Sequence, residues 1–560
     1  LPLTFIGVFY LYPLSAILSA SFARNQAGAL SPFFQALHTP ALWKIVAFTF
    51  QQAALSTLLT LLVGLPGAYI LARYNFPGKT IFRALTGIPF VLPTLIAALA
   101  FDSLLGTRGW LNSLLMTLFQ LKSPPIQFSQ TFTAILVAHV FYNTTIVLRV
   151  VGDFWSHLDA RLASAARVLG ANQRQTFLSV VLPLLTPAIT AAGLLVFLFT
   201  FTSFGVILVL GGPRFATLET EIYYQTSALF DLPYAATLSL LQIFFTLALT
   251  GVYSHLSARV SRPIHLQSQQ HIQRPLHTWR RRVAAAVILG SILLLLTLPL
   301  FSLGLRSFLR LERERGQTSA IQRGLTLDNY RRLGENPQQS LFYVSPATSI
   351  GISLAYASAV VVLSLALGLP TAWLLAQSTQ GNRWHATLNR FFDSFIMLPL
   401  GTSAVTLGLG FVVAFNRPPL NLGASPLLIP LAHTLVAFPF VVRSLTPALR
   451  SVQPRLRQAA ALLGASPRQV MLKIDFPLVG RAILAAATFA FTISLGEFGA
   501  TALLSRPEYP TVPVAIYRFL GRPGETNYGQ ALALSAILML VCTLGMLFIE
   551  RLRLGDSGEF

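Results

Sequence analysis

The chain has 560 residues, 54% of them hydrophobic and only 10% charged, with a mean hydropathy of +0.65. Soluble domains carry roughly a quarter charged residues, so a soluble globular enzyme is excluded and a membrane protein is indicated. The formal net charge of +22 does not point to nucleic acid, because the arginines are separated by long apolar runs instead of sharing one polar face.

A bilayer core takes roughly 20 apolar residues per helix, and about twelve runs meet that rule. In the first half they lie near 1–22, 46–72, 84–106, 133–152, 187–211 and 233–257. In the second they lie near 283–304, 349–376, 392–415, 427–445, 478–503 and 529–550. The run from Leu1 to about Phe22 is too long for a signal-peptide core and lacks a small-residue cleavage pattern, so it reads as a spanning helix whose cytoplasmic start is missing. Pro89, Pro93 and Pro399 are expected to kink the third and ninth spans. The expected fold class is an all-α, polytopic membrane helical bundle of about 12 transmembrane helices in two homologous halves of about six. Its expected organisation is an N-terminal half at 1–262, a cytoplasmic linker at 263–282 and a C-terminal half at 283–560.

Short cytoplasmic loops hold the excess of Lys and Arg. One set of alternate loops carries Arg73, Lys79 and Arg83; Arg161, Arg167 and Arg174; Arg280, Arg281 and Arg282; Arg383 and Arg390; and Arg450, Arg455, Arg457, Arg468 and Lys473. That set faces the cytoplasm. The opposite loops carry mixed charge, as in Arg214, Glu219, Glu221 and Asp231, or Arg506, Glu508, Arg522 and Glu525. The stretch from about Leu305 to Pro346 mixes many Arg with several Glu, and its length makes it a weak topogenic signal.

An internal repeat is visible. Ser164-Ala165-Ala166 is followed after three residues by Gly170, after nine more by Val180, and after one by Leu182-Pro183. The order returns as Gln458-Ala459-Ala460, Gly464, Ile474 and Phe476-Pro477, at a constant offset of 294 residues. The same offset relates His139 to His433, Leu158 to Val452, Gly205 to Gly499, Thr217 to Thr511 and Tyr223 to Tyr517. Leu65-Pro66 and Leu369-Pro370 match at an offset of 304, so a length difference lies between. The chain is a tandem duplication.

Leu158, Leu162, Ala165 and Leu169 fall at helical spacing, as do Val452, Leu456, Ala459 and Leu463, so each copy predicts a short amphipathic cytoplasmic helix. Small Ala residues admit a close partner, Gly170 and Gly464 end the helix through a positive φ, and Pro183 and Pro477 restart a helix near the membrane. The result is a rigid elbow able to pass a push from a soluble partner into the bundle.

These residues resemble the cytoplasmic "EAA" loop of ABC importer permeases, whose pattern is Glu-Ala-Ala, three residues, Gly, nine residues, Ile, one residue, Leu-Pro. The resemblance implies the type I ABC importer permease fold in a bacterial inner membrane. It also implies that the stretches around Ser164, Ala165, Ala166, Gly170 and Ala171, and around Gln458, Ala459, Ala460, Gly464 and Ala465, are coupling helices docking onto two copies of an ABC ATPase. Ser164 and Gln458 replace the usual Glu, which removes any salt bridge that residue would make and leaves docking by shape. Phe48-Thr49-Phe50-Gln51-Gln52-Ala53, Phe76-Pro77-Gly78, Gly109-Trp110-Leu111 and Ala138-His139-Val140-Phe141-Tyr142-Asn143 resemble the fused permeases of bacterial thiamine importers, with the ferric-iron importer permeases a close second. The resemblance further implies a periplasmic or lipid-anchored substrate-binding protein. It implies no catalysis and no cofactor bound by this chain, with ATP and Mg used by the partner ATPase.

No nucleotide site is expected. Gly78-Lys79-Thr80 imitates the end of a P-loop, but that motif needs Gly at position 73, which is Arg73. Cys542 has no partner in the chain, and no Cys/His/carboxylate cluster has metal spacing. Charges inside spans are costly and mark function, which singles out Asp102, Asp393 and above all Glu497, in Ser494-Leu495-Gly496-Glu497-Phe498-Gly499, with Ser203 as its counterpart. A carboxylate at the midplane suits a cation such as thiamine or Fe³⁺; a Glu satisfied by a neighbouring helix is the structural alternative. Asp102 and Asp393 lie near span ends, and His139 and His433 read as packed, hydrogen-bonded helical residues rather than metal ligands; Asp102, His139 and His433 join Glu497 and Ser203 as candidate residues of the substrate path. An intramembrane enzyme, which would need converging His, acid or Ser groups, and an ion-driven secondary transporter are the rival readings.

Overall fold

The structure, a computed structural model, describes residues 1–22, 31–260, 274–276, 278–309, 324–335, 344–376, 392–393, 395–416, 418, 420–423, 425–522 and 524–554. The first half contains α1 (Pro2–Phe22), α2 (Pro40–Arg73), α3 (Lys79–Val91), α4 (Thr94–Leu105), α5 (Phe132–Ser156), α6 (Ala160–Val168), α7 (Gln173–Phe201), α8 (Leu218–Ser227) and α9 (Leu232–Leu256). The second contains α10 (Trp279–Ser307), α11 (Pro346–Ala376), α12 (Ala404–Phe415), α13 (Leu428–Ser451), α14 (Pro454–Leu462), α15 (Pro467–Leu478), α16 (Gly480–Gly496), α17 (Gly499–Leu504), α18 (Val512–Leu520) and α19 (Glu525–Leu552). Arg383 and Arg390, and much of the expected 263–282 linker and of the 305–346 stretch, lie outside the described residues. A short parallel pairing joins β1 (Tyr74–Asn75) to β2 (Arg274–Pro275).

Among the described residues nine helices are long and apolar enough to span a membrane, or eleven if two bent pairs count as spans. The ninth expected run, 392–415, shows a single turn at Leu398–Gly401 and then α12, of only 12 residues. The third run is likewise not one helix. α3 ends at Val91, Leu92 is extended before Pro93, and the helix resumes at Thr94 on an axis bent by 108°. Proline removes a backbone donor and drives the preceding residue out of the helical region, which accounts for the break. The runs at 187–211 and 478–503 are also interrupted, at Thr202–Ser203 and at Glu497–Phe498.

Prolines act differently inside the spans. Each of the four π-helical turns among the described residues (Gly7–Leu11, Phe177–Val181, Ile207–Gly211, Met471–Asp475) ends two residues before a proline: Pro13, Pro183, Pro213 and Pro477. A proline ring collides with the carbonyl four residues back, and a wide turn relieves that collision; the helix continues through Pro13, Pro183 and Pro477, whereas before Pro213 it ends at Gly212. Pro183 and Pro477 therefore sit within helices that began at Gln173 and Pro467, and do not restart them as expected.

The duplication governs packing. α2 lies along α5, and α11 lies along α13; α7 packs on both members of the first pair and α16 on both of the second. The opening helix of each half crosses to the other: α1 packs on α12, and α10 packs on α4. Ile6 and Tyr10 of α1 accordingly share a core with Phe411 and Phe415, while Leu289, Ile292 and Leu296 of α10 share one with Ala97 and Phe101. Lipid offers no hydrophobic drive for such contacts, so close packing by small residues matters. Gly64 and Gly368 are examples: an added Cβ at either would lie 2.7 Å from Val147 or Val441 of the facing helix.

Candidate functional site

The two elbows fold alike, down to individual hydrogen bonds. α6 ends where Gly170 takes φ of +90° and α14 where Gly464 takes +81°. Gly170 N–H donates to Arg167 O (3.0 Å) and Ala171 N–H to Ala166 O (3.1 Å); Gly464 N–H donates to Ala461 O (3.0 Å) and Ala465 N–H to Ala460 O (3.0 Å). Both are Schellman closures, which need a left-handed residue that glycine provides without strain. The chain then re-enters helix through matched capping boxes, Asn172 with Gln175 and Ser466 with Gln469.

The expected single apolar stripe is divided. Leu158 and Val452 are buried in the bundle, whereas Leu169 and Leu463 are 87% and 89% exposed and are joined by exposed Val168 and Leu462. Exposed apolar side chains thus recur at two matched positions, one on each elbow. Ser164, Ala165, Gln458 and Ala459 are exposed beside them, while Ala166, Ala171 and Ala465 are half-buried and Ala460 is buried.

Behind these surfaces the halves differ. The first elbow leans on rings, with Phe177 6.4 Å from Trp155 and Trp155 5.2 Å from Tyr69. The second is held by polar contacts around the fully buried Asp475, which accepts from Arg457 Nε and from Trp373 Nε1, both at 2.8 Å. The corresponding first-half residues of the ion pair are Ala163 and Val181.

Between the halves lies a cavity of about 370 Å³ lined from both. Its walls include Phe90 and Phe199 on one side and Phe440 and Phe489 on the other, ring pairs 6.1 and 5.5 Å apart. The helix breaks form its floor. There Phe204 stacks on its own repeat partner Phe498, centroids 5.4 Å apart, with Tyr223 against Phe204 and Tyr517 against Phe498 at 5.3 and 5.5 Å. The internal two-fold relation of the chain thus passes between Phe204 and Phe498. α7 and α16 both run away from their elbows, so the stack lies at their ends remote from the elbows. Gly205 permits the approach, since a Cβ there would lie 2.1 Å from Thr94 Oγ1. Tyr142 steadies the α3–α4 break by donating to Pro93 O at 2.8 Å.

The two histidines keep their equivalence. His139 lies between Ser56 Oγ (3.0 Å from Nδ1) and Ser203 Oγ (2.9 Å from Nε2). His433 lies between Ser494 Oγ (2.9 Å) and Thr501 Oγ1 (2.7 Å), with Glu497 Oε2 3.0 Å from Nε2. Glu497 also accepts from the backbone N–H of Ala500 (2.8 Å) and Thr501 (3.1 Å) and from Thr501 Oγ1 (2.5 Å). It lines the cavity, as do Ser203 and His139, and its carboxylate is internally satisfied.

Asp102 and His433 are not cavity-lining residues. Asp102 accepts from Ser129 Oγ (2.8 Å) and Tyr528 OH (2.9 Å), tying α4 to α19, and Asp393 is exposed. Glu219 was expected in an outer loop of mixed charge. It is instead fully buried on α8 and lines the cavity. Its Oε1 accepts from Gln242 Nε2 (2.9 Å) and its Oε2 from Ser403 Oγ (2.6 Å), the latter across the interface between halves. Only the repeat register hinted at it: Thr217 matches Thr511, and both begin buried helices.

The profile of the inner-membrane component of binding-protein-dependent transport systems matches residues 64–262 and again 364–553. The chain belongs to this family. It is a multi-pass inner-membrane permease of an ABC importer, with two permease units in one polypeptide, and such a permease works with an ATPase and a substrate-binding protein. The permease is 28% identical over 515 residues to the thiamine transport system permease protein ThiP of Escherichia coli, covering 91% of this chain and 89% of that protein. It is 27% identical over 512 residues to the protein of the same name in Brucella abortus, at 91% and 88% coverage, and 27% over 544 residues to that of Haemophilus influenzae, at 95% and 94%. These relatives lend nothing to the ferric-iron alternative.

Proposed function

We propose that the permease moves thiamine into the cell by alternating access, driven by two copies of a separate ATPase that bind ATP and Mg. The reading is carried by the cavity on the internal two-fold: six phenylalanine rings and two carboxylates, with no lysine or arginine in its lining among the described residues. Thiamine carries a permanently cationic thiazolium ring joined through a methylene to an aminopyrimidine ring, and aromatic faces with acid groups attract such a cation. The names of the relatives, which match nearly end to end, support the same cargo. A hard metal ion instead asks for a close cluster of oxygen ligands.

In this account each ATPase subunit docks at one elbow, against Val168 and Leu169 or Leu462 and Leu463, beside Ser164-Ala165-Ala166 or Gln458-Ala459-Ala460. ATP-driven closure draws the elbows together. α7 runs from the first elbow to its helix break, and α16 does so in the second half after a 76° bend from α15, so the motion reaches the Phe204–Phe498 stack and opens it toward the binding protein. Hydrolysis restores the stacked arrangement. Vesicles carrying the permease, the ATPase and the binding protein should take up radiolabelled thiamine only with ATP. Uptake by the permease alone would overturn the reading in favour of a secondary transporter.

A further inference from the structure

Glu497 and Glu219 face the same cavity with different electrostatic balances. Glu497 has His433 3.0 Å away and three N–H or O–H donors besides. Both hydrogen-bond partners of Glu219, Gln242 and Ser403, are neutral. An acceptor beside it is also left over: Gln242 Oε1 is buried without a hydrogen-bond partner. A buried carboxylate with no positive partner is expensive, and a surplus of acceptors around it has the polarity of a cation site. The position is singular as well, because its repeat counterpart is Pro513.

We infer that Glu219 is the counter-charge of a single organic-cation site inside the permease, with the Phe90–Phe199 and Phe440–Phe489 pairs as its aromatic walls. The inference rests on the thiamine reading for the identity of the cargo, and on the cavity alone for its charge class. Binding energy supplied by the cargo's own positive charge replaces the missing partner of Glu219, so the permease selects cations independently of the binding protein. Ser403, which also caps α12 by accepting from Thr406 N–H at 3.2 Å, reports occupancy to the second half.

The test uses the permease–ATPase complex in lipid nanodiscs without the binding protein. Equilibrium binding is measured for thiamine, for benzyltrimethylammonium, and for an uncharged thiamine isostere with thiophene in place of thiazolium. Both cations should bind more tightly than the isostere. Glu219→Gln should weaken both cations by at least about tenfold, roughly 1.4 kcal/mol, and the isostere by less than about twofold. Equal loss for all three probes, or no loss, overturns the site, as does wild type that binds neither cation. Wild type that binds benzyltrimethylammonium in a Glu219-dependent way but not thiamine sustains the site and removes the thiamine reading. Glu219→Asp, which keeps the charge, should keep the preference for cations; should Glu219→Gln not assemble, loss of that preference in the Asp variant overturns the inference.

Discussion

Replacing both elbow glycines, Gly170→Val and Gly464→Val, tests the elbows with little collateral damage. A Cβ at either position would meet nothing within 4 Å, so no packing clash accompanies the change. What remains is the backbone term, since φ of +90° and +81° costs an L-residue about 1–2 kcal/mol, with β-branched valine at the upper end. That energy shifts each elbow away from its docking shape by roughly 5- to 30-fold. One substitution should reduce binding-protein-stimulated ATP hydrolysis by up to that factor, and the pair should abolish it, while the bundle keeps its thermal stability. Gly170→Asn with Gly464→Asn should retain much of the activity, because asparagine tolerates the left-handed region. Normal stimulated hydrolysis in the double valine variant would refute the reasoning.

Asp475→Ala strands Arg457 and should cost about 3 kcal/mol, the low end for a broken buried pair because Arg457 is 26% exposed; thermal unfolding measures the loss. Asp475→Val with Arg457→Ala, which copies Val181 and Ala163 of the first elbow, should recover most of it. Glu497→Gln should lower vesicle uptake on the order of tenfold, by analogy with the ~1.5–3 kcal/mol of a charged hydrogen bond, while the ATPase still co-purifies; unchanged uptake would make the residue structural. Gly205→Ala forces a Cβ against Thr94 and should lower stability by about 1–3 kcal/mol, seen as a lower Tm in detergent.

The elbows were legible in the sequence because each is local: helix period, glycine and proline lie within about 20 residues and recur in one register. Pro93 announced its break for the same reason. The breaks at Thr202–Ser203 and Glu497–Phe498 carry no proline and stayed hidden, although Gly205 and Gly499 sat at matched positions beside them. Glu497 drew notice because its neighbours are apolar. Glu219 did not, since Arg214, Glu221 and Asp231 around it read as a loop, and its burial is created by α9 and by Ser403, 184 residues away. The crossing of α1 and α10 between halves also depends on contacts remote in the chain.

Docking of the ATPase at two matched elbows is the central claim, and site-directed cross-linking tests it most directly. Leu169→Cys and Leu463→Cys place thiols at positions 87% and 89% exposed, and the native Cys542 is buried at 1% exposure and will not compete. In the purified complex with the ATPase, after labelling with a maleimide that carries a photoreactive benzophenone and irradiation, each variant should cross-link to one ATPase subunit and the double variant to two. Absence of cross-links at both positions, in a complex that still hydrolyses ATP on addition of binding protein and thiamine, would contradict the account.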